Sequence, residues 1–238
     1  MLVQCGYNNL GATMIARRNS RSAAVCFVLV LVAACEMSIE DDDASSNKVN
    51  GSIDVPAGKA AAEVQTVNGS ITVESNGTIK SAGTVNGNIK LGAYATATSL
   101  HTVNGRISLG RGAHAAEAST VNGSLTLEDG ADLAGRLGNV NGKISLAGAH
   151  VGGGIDTMNG DIAVTGASHV EGGIEVEEAS SGGLFSNKDP VVIIGPGATV
   201  QGDLVFKRKV RLYVSDRATI GNVTGAPAVT YSGDNPPP

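Results

Sequence analysis

The dipeptide Asn-Gly returns at a nearly fixed interval through the middle of this chain. Its Asn falls at Asn50, Asn68, Asn86, Asn104, Asn122, Asn141 and Asn159, in steps of 18, 18, 18, 18, 19 and 18 residues. Val precedes each one (Met once), and an aliphatic residue follows after one variable position. So strict a period predicts a solenoid, one coil per repeat, each coil touching only its neighbours.

Within the unit Thr66-Val67-Asn68-Gly69-Ser70-Ile71-Thr72-Val73, apolar and polar residues alternate on either side of the Asn-Gly pair. Alternation is a strand signal. Asn and Gly both tolerate positive φ, which makes the pair a natural corner. The same dipeptide is a strong hairpin signal, but hairpins need a partner strand every 8–12 residues. Here the second half of each unit varies freely and the corner returns once per coil. The expected fold is therefore all-β: a single-stranded parallel β-helix of about 18 residues per coil, with like residues stacked ~4.8 Å apart.

Stacking assigns roles to columns. Val49, Val67, Val85, Val103, Val121, Val140 and Met158 are expected to fill the core, together with Ile53, Ile71, Ile89, Ile107, Leu125, Ile144 and Ile162. The seven Asn residues are expected to form a structural ladder of side-chain amides, each donating to the next coil and capping backbone groups at the bend. Later segments repeat a weaker theme, in Gly148 to Ile155, Gly166 to Ile174 and Gly197 to Leu204. The solenoid should thus continue past the last Asn-Gly corner, with residues 217–223 as a final partial coil.

The front of the chain has a different character. Arg17, Arg18 and Arg21 precede an apolar run from Ala23 to Ala34. That run is short for a membrane span and ends in small residues, as secretory signals do. It closes on Leu31-Val32-Ala33-Ala34-Cys35, which resembles the bacterial lipobox. The resemblance implies cleavage before Cys35 and lipidation of its thiol, which would anchor the chain to membrane. In proteins with this signal, Glu rather than Asp after the cysteine, as at Glu36, implies the outer membrane. Met14 would give a more compact signal than Met1. Cys5 and Cys26 would leave with the signal, so the mature chain could form no internal disulfide. The expected order is a signal peptide (1–34), an acidic tether (35–47), a seven-coil β-helix (48–176), a loop (177–190), terminal coils (191–225) and a disordered tail (226–238).

Formal net charge is −5; removal of three Arg from the 17 basic residues, with all 22 acids kept, takes it to −8. Nucleic acid is disfavoured as a partner, since its binding rests on basic surface. One basic cluster, Lys207, Arg208, Lys209 and Arg211, reads as a solvated turn or as a contact for anionic lipid or lipopolysaccharide phosphate. There is no Trp, and Tyr and Phe number 4 and 3, which disfavours a polysaccharide-degrading β-helix. No phosphate loop, dinucleotide fingerprint, paired cysteines or nucleophile elbow is present. The expectation is a non-enzymatic chain without cofactor.

Three chemical readings remain. Ten residues after successive corners stand Thr78, Thr96, His114, Asp132 and His169. His150 joins them if the 19-residue step is absorbed just before Asn141. His114, Asp132, His150 and His169 would then form an outward stripe of metal-ligand types. Stacked ligands run parallel rather than converge, so weak zinc or copper binding is the most it predicts. A single Thr column beside the corner (Thr66, Thr84, Thr102, Thr120, Thr157) falls short of the paired Thr arrays of ice-binding solenoids. A hexapeptide acyltransferase would need an aliphatic residue every six positions, a rule that Ile71 and the corner break.

The Thr-Val-Asn-Gly-Ser-Ile-Thr-Val units, over about Val49 to Val176, resemble the adhesin β-strand-repeat family of bacterial envelope proteins. Residues 194–204, Ile-Gly-Pro-Gly-Ala-Thr-Val-Gln-Gly-Asp-Leu, resemble bactofilin, a polymer-forming cytoskeletal family. Both resemblances imply a right-handed β-helix without catalytic residues, and the second implies end-to-end polymerisation. The resulting expectation is a lipid-anchored envelope rod, structural or adhesive, whose open end can self-associate.

Overall fold

The computed structural model describes residues 45–178 and 188–237. These form 24 strands and no helix, and every strand pairing is parallel, coil upon coil. The chain is a parallel β-solenoid of about 18 residues per turn. One coil consists of a short strand (Ile89–Leu91), a turn at Ala93 and Tyr94, a long strand (Thr96–Asn104) and the Asn-Gly corner. Register is strict: Asn86 lies opposite both Asn68 and Asn104, and Ile89 opposite both Ile71 and Ile107.

From Ile89 onward a full coil sends six side chains inward. In one they are Ile107, Leu109, Ala113, Ala115, Ala118 and Thr120; in the next, Leu125, Leu127, Ala131, Leu133, Leu137 and Asn139. Size is traded within and between coils. Ile79 with Ala82 is followed by Ala97 with Leu100, and the small pair Ala115 and Ala118 lies beneath Leu133 and Leu137. A narrow core stays filled because a large residue in one coil covers a small one in the next.

One expected column is reversed. Val49 and Val67 are 44% and 40% exposed, and Val85, Val103, Val121, Val140 and Met158 are half-buried on the outside. The Thr residues beside them point inward and are 2–4% exposed. Parity explains this. Residues Val64 and Thr66 face in before the corner, and Ile71 and Val73 face in after it, an odd number of residues later. Carrying the phase of Ile71 straight back through the corner places Val67 inside, and a one-residue slip flips every side chain. The inward Thr has a purpose. Thr66, Thr84, Thr102 and Thr120 donate their hydroxyls to the carbonyls of Gly51, Gly69, Gly87 and Gly105, one corner back, at 3.0–3.3 Å. Asn139 does the same for Gly123 through Nδ2. Each inward-turned carbonyl is thereby satisfied in an apolar core.

The corner glycines meet the positive-φ expectation at Gly51 and Gly142, with φ of 114° and 121°, but not at the four between them. Gly69, Gly87, Gly105 and Gly123 are not in the left-handed region. A Cβ on any of them would stand 1.7–2.1 Å from the carbonyl oxygen of the glycine below. It is close stacking, not positive φ, that excludes a side chain here. Positive φ is required instead at the opposite turn, where Gly58, Asn76, Tyr94, Gly112, Gly130, Gly148, Gly166 and Gly197 all lie between 59° and 75°.

Irregular steps are absorbed in turns. Leu133 pairs with Ala115 at a separation of 18 and Leu137 with Ala118 at 19, so the extra residue enters between Leu133 and Leu137. Another enters before His169, where Ser168 tucks inside, accepting from Ala149 N–H and donating to Thr165 O. The inserted loop replaces the corner after Val176: Ile162 pairs with Val192, 30 residues on. Of that loop, residues 179–187 lie outside the described residues, as do the proposed signal peptide, Cys35 and the tether through residue 44.

Both chain ends of the solenoid extend further than the sequence pattern places them. The first strand, Ser46–Asn50, begins two residues inside the span assigned to the tether. The tail from 226 onward is not wholly disordered: Ala228–Tyr231 pairs in parallel with Arg211–Ser215, and Tyr231 is buried. Alternating Val229 and Tyr231 supply a strand pattern before the terminal prolines, and an Arg217–Asp234 ion pair of 2.8 Å ties the segment beyond Tyr231 back to the coil.

Candidate functional site

The Asn residues stand at the end of each long strand, so parallel pairing sets their amides one above another. Asn68, Asn86, Asn104, Asn122, Asn141 and Asn159 each donate Nδ2–H to Oδ1 of the Asn in the preceding coil, at 2.8–3.1 Å. Donation runs toward Asn50, the reverse of the expected direction. That leaves the Asn159 carbonyl as the acceptor end. Arg208, 49 residues on, fills it: its Nη1 donates to Asn159 Oδ1 and to Met158 O. Arg208 occupies the corner position two coils later and reaches back across the gap left by the inserted loop. Guanidinium can only donate, so it terminates a polarised chain of amides that strengthen one another.

The His column is brought together in register. His114 lies opposite Asp132, Asp132 opposite His150, and His150 opposite His169. The 19-residue step is absorbed before Asn141, which is what admits His150. Asp132 bridges two rungs, with Oδ2 3.2 Å from His114 Nδ1 and Oδ1 2.5 Å from His150 Nδ1. His150 Nε2 faces Glu171 Oε1 at 3.2 Å, and its ring stacks on His169 with centroids 5.8 Å apart. An imidazole can donate from both nitrogens only as the cation. The Asp132 hydrogen bond, backed by Glu171, raises the His150 pKa above its ordinary value. Burial alone would raise Asp132, but hydrogen bonds from His150 and His114 outweigh it and hold that carboxyl below the ordinary range. Asp132 thus faces a His on either side, and His150 turns both nitrogens toward carboxylates. Among the described residues no three or more His, Cys, Asp or Glu converge so as to hold a metal ion.

The basic cluster is largely matched by neighbouring coils. Lys207 meets Glu175 at 2.6 Å and Glu177 at 3.0 Å, Lys209 meets Asp189 at 3.1 Å, and Arg208 caps the ladder. Arg211 is exposed. Three of the four cations thus face the protein's own acceptors. The Lys207 hydrogen bond holds Glu175 below the usual carboxylate range. Asp156 moves the other way: burial raises it, and the Arg136 ion pair at 2.8 Å opposes that only in part.

A constellation that no motif announces appears one rung earlier. Ser99 and His101 pair with Glu117 and Ser119 of the next coil. Ser99 Oγ donates to Glu117 Oε1 at 3.0 Å and also touches His101 Nε2; His101 Nδ1 lies 2.7 Å from Ser119 Oγ, and Nε2 3.2 Å from Glu117. The available signal was the spacing itself: residues 18 apart on a strand become neighbours. The group lies on an open strand face, with His101 43% and Glu117 57% exposed. Farther along the stack the coil sides bear a shallow depression of about 330 Å³, floored by Gly153, Gly154, Gly172 and Gly173 and edged by Arg136 and Asp156. Comparison with known protein families, with curated proteins and with solved structures returns no match to this chain.

Proposed function

We propose that the protein is a non-enzymatic solenoid rod of the bacterial cell envelope, anchored by lipid on Cys35, with a structural or adhesive role. One observation carries the reading: the chemically capable side chains are engaged with one another along the axis. Asn binds Asn over seven rungs, Arg208 closes that chain, and His150 lies between Asp132 and Glu171. Such a lattice suits a cohesive rod that presents its sides. The lipobox-like run before Cys35 and the acidic segment after it support anchoring by a solvated tether. The test is metabolic labelling with a fatty-acid analogue in intact bacteria, paired with added protease. Label is expected on the wild-type chain and absent from Cys35→Ser. Label that survives Cys35→Ser, or a wild-type chain that takes none, refutes the anchor.

A second reading, end-to-end assembly, is favoured by the last coil. Its strands Thr219–Ile220, Val223–Thr224 and Ala228–Tyr231 pair with the coil below, each on one side. Edges of this kind template further pairing. Filaments in electron micrographs of tag-free protein are the expected result of that reading, and monodisperse particles at high concentration exclude it.

A further inference from the structure

Tyr94 breaks the rule of its own column. The turn opposite the Asn corner takes φ between 59° and 75° in eight successive coils, at Gly58, Asn76, Tyr94, Gly112, Gly130, Gly148, Gly166 and Gly197; Arg217 in the terminal coil does not. Glycine takes this conformation freely and Asn tolerates it, whereas a bulky side chain is strained. Tyr94 adopts it at φ 59° while 59% exposed. It is also the one aromatic side chain that is exposed among the described residues; Phe206 and Tyr231 are buried and Tyr213 is half-buried. Strain retained at an exposed aromatic marks a place where the side chain serves something other than the fold.

The surroundings define the chemistry. The ring leans onto the next coil: a Cβ on Gly112 would lie 2.6 Å from Tyr94 Cε1 and 2.7 Å from Cδ1. Gly112 therefore backs the ring. Farther along the same column, the carboxylate of Asp129 overlies Gly148 in the same manner, its Oδ1 2.6 Å from where a Cβ would be. Two rungs of ~4.8 Å separate Gly112 from Gly148, with Gly130 between them. Exposed Asn76 occupies the turn one coil below, and exposed Arg111 lies opposite Tyr94, accepting its N–H through the backbone carbonyl at 3.0 Å. The lane thus offers one flat aromatic ring, an amide, a guanidinium and a carboxylate over glycine relief. Pyranose sugars match that set: an apolar C–H face stacks on a ring, and hydroxyls both donate and accept.

We propose that Tyr94, with Asn76, Arg111 and Asp129 around it, is a contact site for a pyranose polysaccharide lying along the glycine turn column. This rests on the adhesive side of the proposed function. It fails separately, because binding by purified full-length chain requires no anchor and Cys35 labelling requires no sugar.

The test uses tetrasaccharides of glucose and of N-acetylglucosamine, titrated by calorimetry and by NMR of the Tyr94 ring. Wild-type chain is expected to bind at least one in the millimolar range. Tyr94→Gly, which gives the column its preferred residue, is expected to melt higher and to bind tenfold or more weakly. Tyr94→Phe should keep most of the affinity. Equal affinity in Tyr94→Gly, or no binding of either sugar by wild type, overturns the proposal. So does Tyr94-dependent capture of envelope fragments that persists after periodate destroys their glycans, since the partner is then protein.

Discussion

The coils that carry Asn-Gly corners and those beyond the inserted loop build the same solenoid by different means. At the five corners from Asn50 to Asn122 a glycine carbonyl turns inward, and a buried hydroxyl or amide answers it from the next coil; Thr157, one coil on, donates to Asn139 Oδ1 instead. Past Thr157 the corner changes: a loop replaces it after Val176, and Lys207 to Val210 replace it after Phe206. At those two coils the buried position that had been Thr becomes Val176 and then Phe206, both apolar. The polar column therefore ends at Thr157, although the corner one coil below Val176 is still Asn159-Gly160. Beyond Thr157 the core position is hydrocarbon, and surface ion pairs such as Lys207 with Glu175 join the coils.

The comparison breaks most sharply at glycine. Gly87→Ala sets a Cβ 1.8 Å from Gly69 O, backbone against backbone in a stacked rod. A loss of about 4 kcal/mol or more, an exceptional value for one substitution, is expected by denaturant titration. Gly195→Ala, in the later region, meets the Thr165 methyl at 3.2 Å, a side-chain contact that can yield. Its effect should stay within about 1–3 kcal/mol. Similar losses at both sites would mean that the backbone contact at Gly87 is no more restrictive than the side-chain contact at Gly195.

Exchanging the buried residue between regions sharpens the point. Thr102→Val is nearly isosteric but orphans Gly87 O, and should cost about 1–3 kcal/mol. Val176→Thr should cost a similar amount for the opposite reason, since it buries a hydroxyl at a position the core fills with hydrocarbon. A neutral Thr102→Val would detach the buried hydroxyl from the corner and undo the comparison.

Much of this was legible in the sequence, for physical reasons. An 18-residue period is a statement about which residues become neighbours, so parallel stacking, the Ile column and the Asn ladder followed from spacing alone. Spacing also brought His114, Asp132, His150 and His169 together. What could not be read was parity through the corner. Periodicity is blind to whether five residues around a bend preserve or reverse the inward phase, so Val67 and Thr66 exchanged places. Long-range capping was equally hidden. Arg208 lies 49 residues from Asn159, and only the inserted loop's replacement of one corner lets it reach the end of the ladder. Tyr94 gave no signal because a single residue in a variable turn has no period to reveal it.

The ladder ends test how far the cap matters. Arg208→Ala removes the donor to Asn159 Oδ1, which the inserted loop leaves without another rung above. A loss of about 1 kcal/mol is expected, as for one hydrogen bond to a charged donor partly open to water. Asn104→Ala interrupts the ladder in its middle, leaving Asn86 and Asn122 to water, and should cost a comparable amount. Hydrogen exchange separates the two: Arg208→Ala should expose amides near Asn159, and Asn104→Ala those near Asn86 and Asn122. Identical exchange patterns would show that the rungs act only as one unit.

The smallest effect is electrostatic. His150 has its pKa raised, so the folded chain holds that proton more tightly than the unfolded chain does. Its contribution is complete below the unfolded value of 6.5 and disappears as pH climbs through the raised folded value. Asp132 is lowered from 3.8, so its contribution is present above that value and is lost as pH falls through the lower folded one. The two overlap in mildly acidic solution, where the melting-temperature gap between wild type and Asp132→Asn should be widest. It should close on the alkaline side. Both groups are more than a third exposed and water screens them, so the gap is small and the direct readout is the His150 ring resonance. Its midpoint is expected above 6.5 in wild type and lower in Asp132→Asn. A midpoint unmoved by that change would mean that the carboxylate contact does not set the charge state of His150, and the Asp132–His150 contact would lose its electrostatic basis.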